Sequence, residues 1–300
     1  MTNSVWAVYC VLGYIVLFFF SIIGLGIFIR KKRRDRPPVI FKLLRGPGES
    51  LRRRIAKYDE DIMLRVGGAA FAPLAAALFI LWIALKLHPT TWPQFYLGAG
   101  VTLVVFVTVL FFAGRWALRD LFRYGNDCLG YLGEREVAEH LEVLLSRGYR
   151  VFHDMPADGT GKKFNLDHVV VGPSGVSLIE TKTRRKGRAR PGFKDHVVVY
   201  DGQQLIWPWG EDRHGLEQAK AEADWLRKWV QQRTGIDVVV KPILTLPGWW
   251  VEMKARGEVI VVNSKSVASA VEGRGQVVLS AEQIDLVARQ LDLVCRDVEA

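Results

Sequence analysis

Cysteine is scarce: Cys10, Cys128 and Cys295 are the only three in 300 residues, and they share no ligand spacing. This excludes a disulfide framework and a zinc site, and it suits a reducing compartment. His153, His168, His196 and His214 show no ligand spacing either. His168 alternates away from its neighbour Asp167 and reads as a packing residue. The chain also lacks an internal repeat, a phosphate-cradling glycine loop and a nucleophile elbow, so solenoid, P-loop and serine-hydrolase chemistry find no support. Charge is missing locally. Val5–Ile29 holds no charged residue, and Val66–Leu85 and Phe95–Gly114 are two further uncharged apolar stretches.

Each of these three runs is long enough, at 1.5 Å per residue, to span a hydrocarbon core of about 30 Å. The first has no basic residue ahead of it and is too long for the apolar segment of a signal peptide, so it reads as a retained anchor. Arg30–Arg36 follows it at once, and Arg115, Arg119 and Arg123 follow the third run. The positive-inside rule then places the N-terminus outside and the C-terminal part in the cytoplasm of a multi-pass inner-membrane protein. A buried, soluble helical hairpin is the competing reading of the second and third runs. The expected organisation is a transmembrane helix at 1–29, a basic cytoplasmic linker at 30–65, a transmembrane hairpin at 66–114 and a cytoplasmic domain at 124–300. Within the linker, Ser50–Leu64 predicts a charged amphipathic helix lying on lipid headgroups.

The net charge of +10 does not by itself indicate nucleic acid. Residues 1–129 carry 17 Lys/Arg against 7 Asp/Glu, whereas residues 130–300 carry 24 of each. The excess belongs to the part that faces the membrane.

The cytoplasmic part is organised around residues 164–182, FNLDHVVVGPSGVSLIETK. Two runs of β-branched and aliphatic residues flank Gly172-Pro173-Ser174-Gly175 and predict a β-hairpin. With a four-residue loop, Val171 pairs with Val176, Asp167 lies opposite Glu180, and Asn165 lies opposite Lys182. Period-two alternation then puts Asp167, Val169, Leu178, Glu180 and Lys182 on one face. Two carboxylates about 5 Å apart repel by about 3 kcal/mol at an effective dielectric near 20. Either one stays protonated or a cation stands between them. Lys182 supplies part of that charge, and a hard divalent cation fits better. The plainer alternative is a partly exposed sheet edge with a surface Glu–Lys pair.

Around this hairpin the pattern predicts a helix over Leu129–Arg147 ended by Gly148, a strand over Tyr149–Met155 and a polar loop at 157–163. Thr183–Lys194, TRRKGRARPGFK, is a basic stretch leaving the second hairpin strand. It reads either as a phosphate-holding segment or as a solvated loop. A small hairpin at His196–Tyr200 and Gln204–Trp207, a helix at Gly215–Arg233, strands at Val238–Leu246 and Val259–Val262, and a helix at Ser280–Val298 complete the chain. Trp225 and Trp229 read as packing residues, and Pro247–Trp250 as a turn with exposed aromatics.

Asp, a turn, then Glu-x-Lys on the next strand resembles the PD-(D/E)xK nuclease core. The stretch at roughly 130–250 resembles the nuclease-related domain, NERD. The matching pieces are Gly130-Tyr131-Leu132-Gly133-Glu134, Asn165–Gly172, Gly175-Val176, Ile179–Lys182 and Gln218. No Tyr follows Gln218 at the spacing that some relatives use. The resemblance implies an α/β fold with a restriction-endonuclease-like α-β-β-β-α-β core, here preceded by a three-helix transmembrane region. It implies hydrolysis of DNA or RNA with Mg²⁺ or Mn²⁺ held by Asp167, Glu180 and the Thr181 carbonyl, with Glu134 completing the set. Asp167, Glu180 and Lys182 are the implied catalytic residues, and Gln218 is an accessory one. Arg184, Arg185, Lys186, Arg188 and Arg190 are the candidate nucleic-acid contacts, and the lipid bilayer is the second partner. Two other classes remain open: a non-catalytic membrane-bound nucleic-acid-binding or scaffold module, and a stress-signalling protein whose spans sense lipid state.

Overall fold

The computed structural model describes residues 42–86, 91–158 and 163–298. Val5–Ile29, the first predicted span, and Arg30–Arg36 lie outside the described residues. The chain divides into two compact units, Met1–Leu43 with Val298–Ala300, and Leu44–Asp297. The second unit holds every element discussed below.

Two long helices open it: α1, Glu49–Lys86, and α2, Trp92–Leu141. Pro93 sits in the first turn of α2, where its missing N–H costs nothing. Each helix runs unbroken from its apolar part into its charged part. The two pack antiparallel, which gives the polar halves partners. Arg54 forms an ion pair with Asp127 at 3.0 Å, Tyr124 donates to Asp59, and the Tyr58 and Tyr124 rings meet edge to face. Ser50–Leu64 is therefore helical as expected; Arg54 and Asp59 pair with α2, while Arg52 and Arg53 pair with Glu49 on the same helix. A 3₁₀ turn, Glu142–Arg147, extends α2, and Gly148 ends it in a left-handed conformation at φ 81°.

Among the described residues one helix, Trp92–Arg147 with that turn included, is long and apolar enough to cross a membrane. In the region of the second predicted span, the apolar stretch is the shorter Phe71–Ile80.

The domain core is a five-stranded sheet made of β1 (Arg150–Asp158), β2 (Lys163–Gly172), β3 (Gly175–Thr181), β7 (Val240–Thr245) and β9 (Ile260–Val262). Its order is β9-β7-β3-β2-β1, with β1, β2 and β3 antiparallel and β3, β7 and β9 parallel. The central strand β3 is buried at every position, the polar Ser177, Glu180 and Thr181 included. Helix α3, His214–Thr234, packs on one side of β3 and β7 through Leu216, Ala219, Ala223, Leu226 and Val230. Along the chain the elements α2, β1, β2, β3, α3 and β7 follow the expected order, giving a mixed α/β domain consistent with a nuclease-like one.

A second sheet is inserted between β3 and α3: β4 (Val197–Tyr200), β5 (Leu205–Trp207) and β6 (Gly210–Asp212), with β8 (Trp250–Met253) added after β7 in the order β6-β5-β4-β8. Trp207, on β5, and Trp249 are buried, so only Trp250 of the predicted aromatic turn is exposed. Helices α4, Val267–Glu272, and α5, Ala281–Cys295, close the unit. Ser280 starts α5 with a capping box to Gln283.

Candidate metal and phosphate site

The predicted hairpin register is the observed one: Val171 faces Val176, and the ladder runs from Gly172–Gly175 to His168–Ile179. Since Gly172 pairs with Gly175, the loop is the two residues Pro173-Ser174 and not four. Beyond His168 the ladder stops, and the Asp167 side chain takes over. Its Oδ2 accepts the Thr181 N–H at 2.8 Å, holding Asp167 against the end of β3.

Glu180 is 2% exposed. Its Oε1 meets the Lys182 ammonium at 2.6 Å, while its Oε2 is buried without a hydrogen-bond partner. Lys182 Nζ also donates to Gln218 Oε1 at 2.8 Å, so α3 brings the accessory glutamine to the site. Glu134 arrives from α2, and its buried Oε2 likewise has no partner. Its approach depends on Gly133. A Cβ there would lie 1.8 Å from Thr183 Oγ1, so only glycine lets the helix meet the end of the strand this closely.

The electrostatics bind these groups together. Asp167 keeps some surface exposure, but protein encloses its carboxyl. This burial, with the charges of Glu180 and Glu134, holds it well above the usual carboxylate range. Burial, then the charges of Asp154 and Glu180, pushes Glu134 up to about 8. Burial acts to lower the Lys182 ammonium, yet contact with Glu180 outweighs it and the net shift is upward. Lys182 is therefore a cation at neutral pH.

Asp167 and Glu134 held up by burial and neighbouring charge, with an unpaired oxygen on each of Glu180 and Glu134, are a donor set suited to a hard cation. Asp167, Glu180 and Glu134 fit Mg²⁺ in ligand chemistry. Among the described residues, however, no group of three His, Cys, Asp or Glu side chains stands at metal-holding spacing. Lys182 occupies one oxygen of Glu180, and the Gly48 amide acts on Glu134.

The basic stretch is tethered to its surroundings. Arg184 is ion-paired with Asp212 and stacks over Trp207, and its carbonyl accepts the Trp249 indole N–H. Arg185 donates to Asn126 at 2.7 Å and to the Gly125 carbonyl at 2.8 Å. Lys186 lies 5.9 Å from the Trp249 ring centre, Arg190 stacks on Phe193, and Arg188 is exposed. Neither a solvated loop nor a row of five free cations describes it. Leu132, Gly133, Thr183, Arg184, Lys186 and Trp249 line a cleft of about 250 Å³ beside this stretch.

His168 is fully buried, with its Nδ1 2.8 Å from His153 Nδ1, as a packing residue should be. Two site-linked acids escaped the sequence reading. Glu222, on α3, is 7% exposed and accepts the Gln218 amide through Oε1. It interrupts the stripe of Leu216, Ala219, Ala223 and Leu226, and a charge on that face is the signal that could have exposed it. Asp154 is buried at φ 48° and receives Arg45, Ser50 and Asn165. It ties the start of α1 to β1.

No curated protein and no solved structure matches the chain. One family model does match, the nuclease-related domain (NERD), and it places that domain at residues 129–247, a stretch that contains Glu134, Asp167, Glu180, Lys182, Gln218 and Glu222.

Proposed function

We propose that this protein is a membrane-anchored nuclease that hydrolyses nucleic-acid phosphodiesters with Mg²⁺ or Mn²⁺. The observation that carries the reading is the Asp167–Glu180–Lys182 arrangement where the β2–β3 ladder ends, with a buried, unpaired Glu180 oxygen beside a fixed ammonium. Asp167, Glu180 and Glu134 would hold the cation. When bound there, the metal supplies Lewis-acid polarisation of the phosphoryl group and acidifies water. Lys182, charged at neutral pH, orients the attacking water and offsets the charge that develops on phosphorus oxygens, in place of acting as a base. Lys186 and Arg188, exposed and without an ion pair among the described residues, are the side chains left to contact phosphates. Arg184, Arg185 and Arg190 shape the segment that carries them.

Purified full-length protein in detergent, incubated with DNA and RNA oligonucleotides, tests this reading. Cleavage should need Mg²⁺ or Mn²⁺ and stop with EDTA. Lys182→Ala should cut the rate by about 10²-fold or more while binding persists. Equal rates in wild type and Lys182→Ala would identify a contaminant and end the catalytic claim. Binding with no cleavage of any substrate would favour the scaffold alternative, with which the neutral charge of residues 130–300 is compatible.

We further propose that the C-terminal domain faces the cytoplasm and the N-terminus the opposite side. Fusion reporters at Met1 and Ala300 test the orientation, and the reverse pattern would overturn it.

A further inference from the structure

Glu222 lies beside Glu180 and has no assigned part in the chemistry proposed above, yet its Oε1 also anchors a polar relay that reaches Lys182. Lys182 Nζ donates to Gln218 Oε1 at 2.8 Å, and Gln218 Nε2 donates to Glu222 Oε1 at 2.8 Å. Gln218 and Glu222 lie one turn apart on α3 and so share a face. A carboxyl on this apolar face is costly, and a leucine would fill the same place. Packing therefore gives no reason for an acid here.

Hydrogen-bond polarity does give one. The ammonium of Lys182 only donates, so the amide must show it the oxygen. The shape of Gln218 alone does not fix which end faces the lysine, and the reversed amide would set donors against a cation. An acceptor at the far end removes the ambiguity: Glu222 Oε1, an acceptor in the carboxylate and equally in the acid protonated on Oε2, draws the NH₂ and leaves Oε1 of Gln218 for Lys182. The ammonium then has two fixed acceptors, Gln218 Oε1 and Glu180 Oε1.

We propose that Glu222 is a positioning residue for Lys182, acting through the amide of Gln218, which it holds in the one orientation that keeps the ammonium beside Glu180. The consequence for hydrolysis rests on the nuclease reading. The positioning itself exists without metal or substrate, and it can be tested separately.

The test uses the full-length protein in detergent micelles. In EDTA, the rate at which an amine-acylating reagent modifies Lys182 is followed by peptide mass spectrometry at pH 8. A lysine held by two acceptors reacts slowly. Glu222→Leu, similar in size and without an acceptor, should raise the rate about tenfold. Gln218→Ala should raise it by a similar factor, and the double variant should add nothing to Gln218→Ala alone, since both act on one path. Unchanged labelling in Glu222→Leu, or additive increases in the double variant, would overturn the relay. If Glu222→Leu does not fold, the isosteric Glu222→Gln takes its place. Its amide can present either end to Gln218, so a smaller increase is expected, and no increase overturns the relay.

Hydrolysis of a labelled oligonucleotide with Mg²⁺ then gives a second readout, in which Glu222→Gln should lower kcat with little change in KM. An equal loss in KM and none in kcat would also overturn the proposal. A wild-type protein that cleaves nothing would retire the nuclease reading, while the labelling result would still decide the relay.

Discussion

Raising the pH of the metal-free protein from 6.5 to 8 should lower its stability, and the site carboxyls set the size of the loss. Burial and then neighbouring charge push Glu134 from its ordinary 4.5 up to about 8, and burial and then Glu180 push Glu222 equally far. In each case the folded state holds the proton more tightly than the unfolded chain does. Stability from this source is therefore full below pH 4.5 and is lost as the pH rises through the folded value near 8. Each group loses about 1.4 kcal/mol per pH unit in that range, or about 2 kcal/mol over this window. Both groups respond to Glu180, so they are not independent, and the joint effect lies between about 2 and 4 kcal/mol.

The buried histidines act in the opposite direction at lower pH. Burial pushes His153 down to about 4 and His168 well below its ordinary 6.5. Their protonation in the unfolded chain favours unfolding only below about that pH, so the window above 6.5 isolates the carboxyls. At about 2–4 °C per kcal/mol for a chain of this size, the midpoint should fall by about 4 °C or more. Differential scanning fluorimetry in EDTA at several pH values measures it. Saturating Mg²⁺ should shrink the fall, because a cation replaces the retained protons. A melting temperature that stays flat or rises from pH 6.5 to 8 in EDTA would refute the burial and mutual repulsion argued for these acids.

Three further outcomes are expected. Asp167→Asn and Glu180→Gln should weaken the rise in melting temperature caused by Mg²⁺. An unchanged Mg²⁺ response in both variants would remove the site. Gly133→Ala should destabilise by about 1–3 kcal/mol through overlap with Thr183, and adding Thr183→Ala should recover most of that in urea unfolding. Arg45→Ala should cost about 3–5 kcal/mol, because it strands the Asp154 carboxylate, whose side chain is 3% exposed; Asp154→Asn in the same chain should recover part, and simple additivity of the two losses would argue against their pairing.

What was legible in the sequence is what local spacing controls. The valine runs and the Gly-Pro-Ser-Gly turn set the hairpin register, and period two put Asp167, Glu180 and Lys182 on one face. The loop length was misjudged because Gly172 and Gly175, which look like turn residues, close the ladder as a pair. What remained hidden depends on distant partners. Helix α1 lies alongside α2 and supplies Arg54 to Asp127 across 73 positions, a partnership that no local spacing announces. The hairpin of β4 and β5 was readable, but β8 joins β4 in parallel from beyond β7, and no local pattern announces that. Trp249 looked like part of an exposed turn until the carbonyl of Arg184, 65 residues earlier, appeared as its partner. Gln218 matched the family pattern without showing what it does, since its roles toward Lys182 and Glu222 require both β3 and α3 in place.

Helix α2 carries the apolar run ending near Gly114 and the Glu134 carboxyl on one unbroken rod. Twenty residues at 1.5 Å each separate them, about 30 Å along the axis. The angular setting matters as much as the distance. Adding one residue between them would turn Glu134 by about 100°, carrying it off the face that meets Glu180, whereas seven residues, close to two turns, would nearly restore that face. A slide of a single turn moves the carboxyl by about 5.4 Å, more than twice the roughly 2.1 Å length of a magnesium–oxygen bond. In the proposed site the third carboxyl would therefore meet Asp167 and Glu180 at one setting of the helix only.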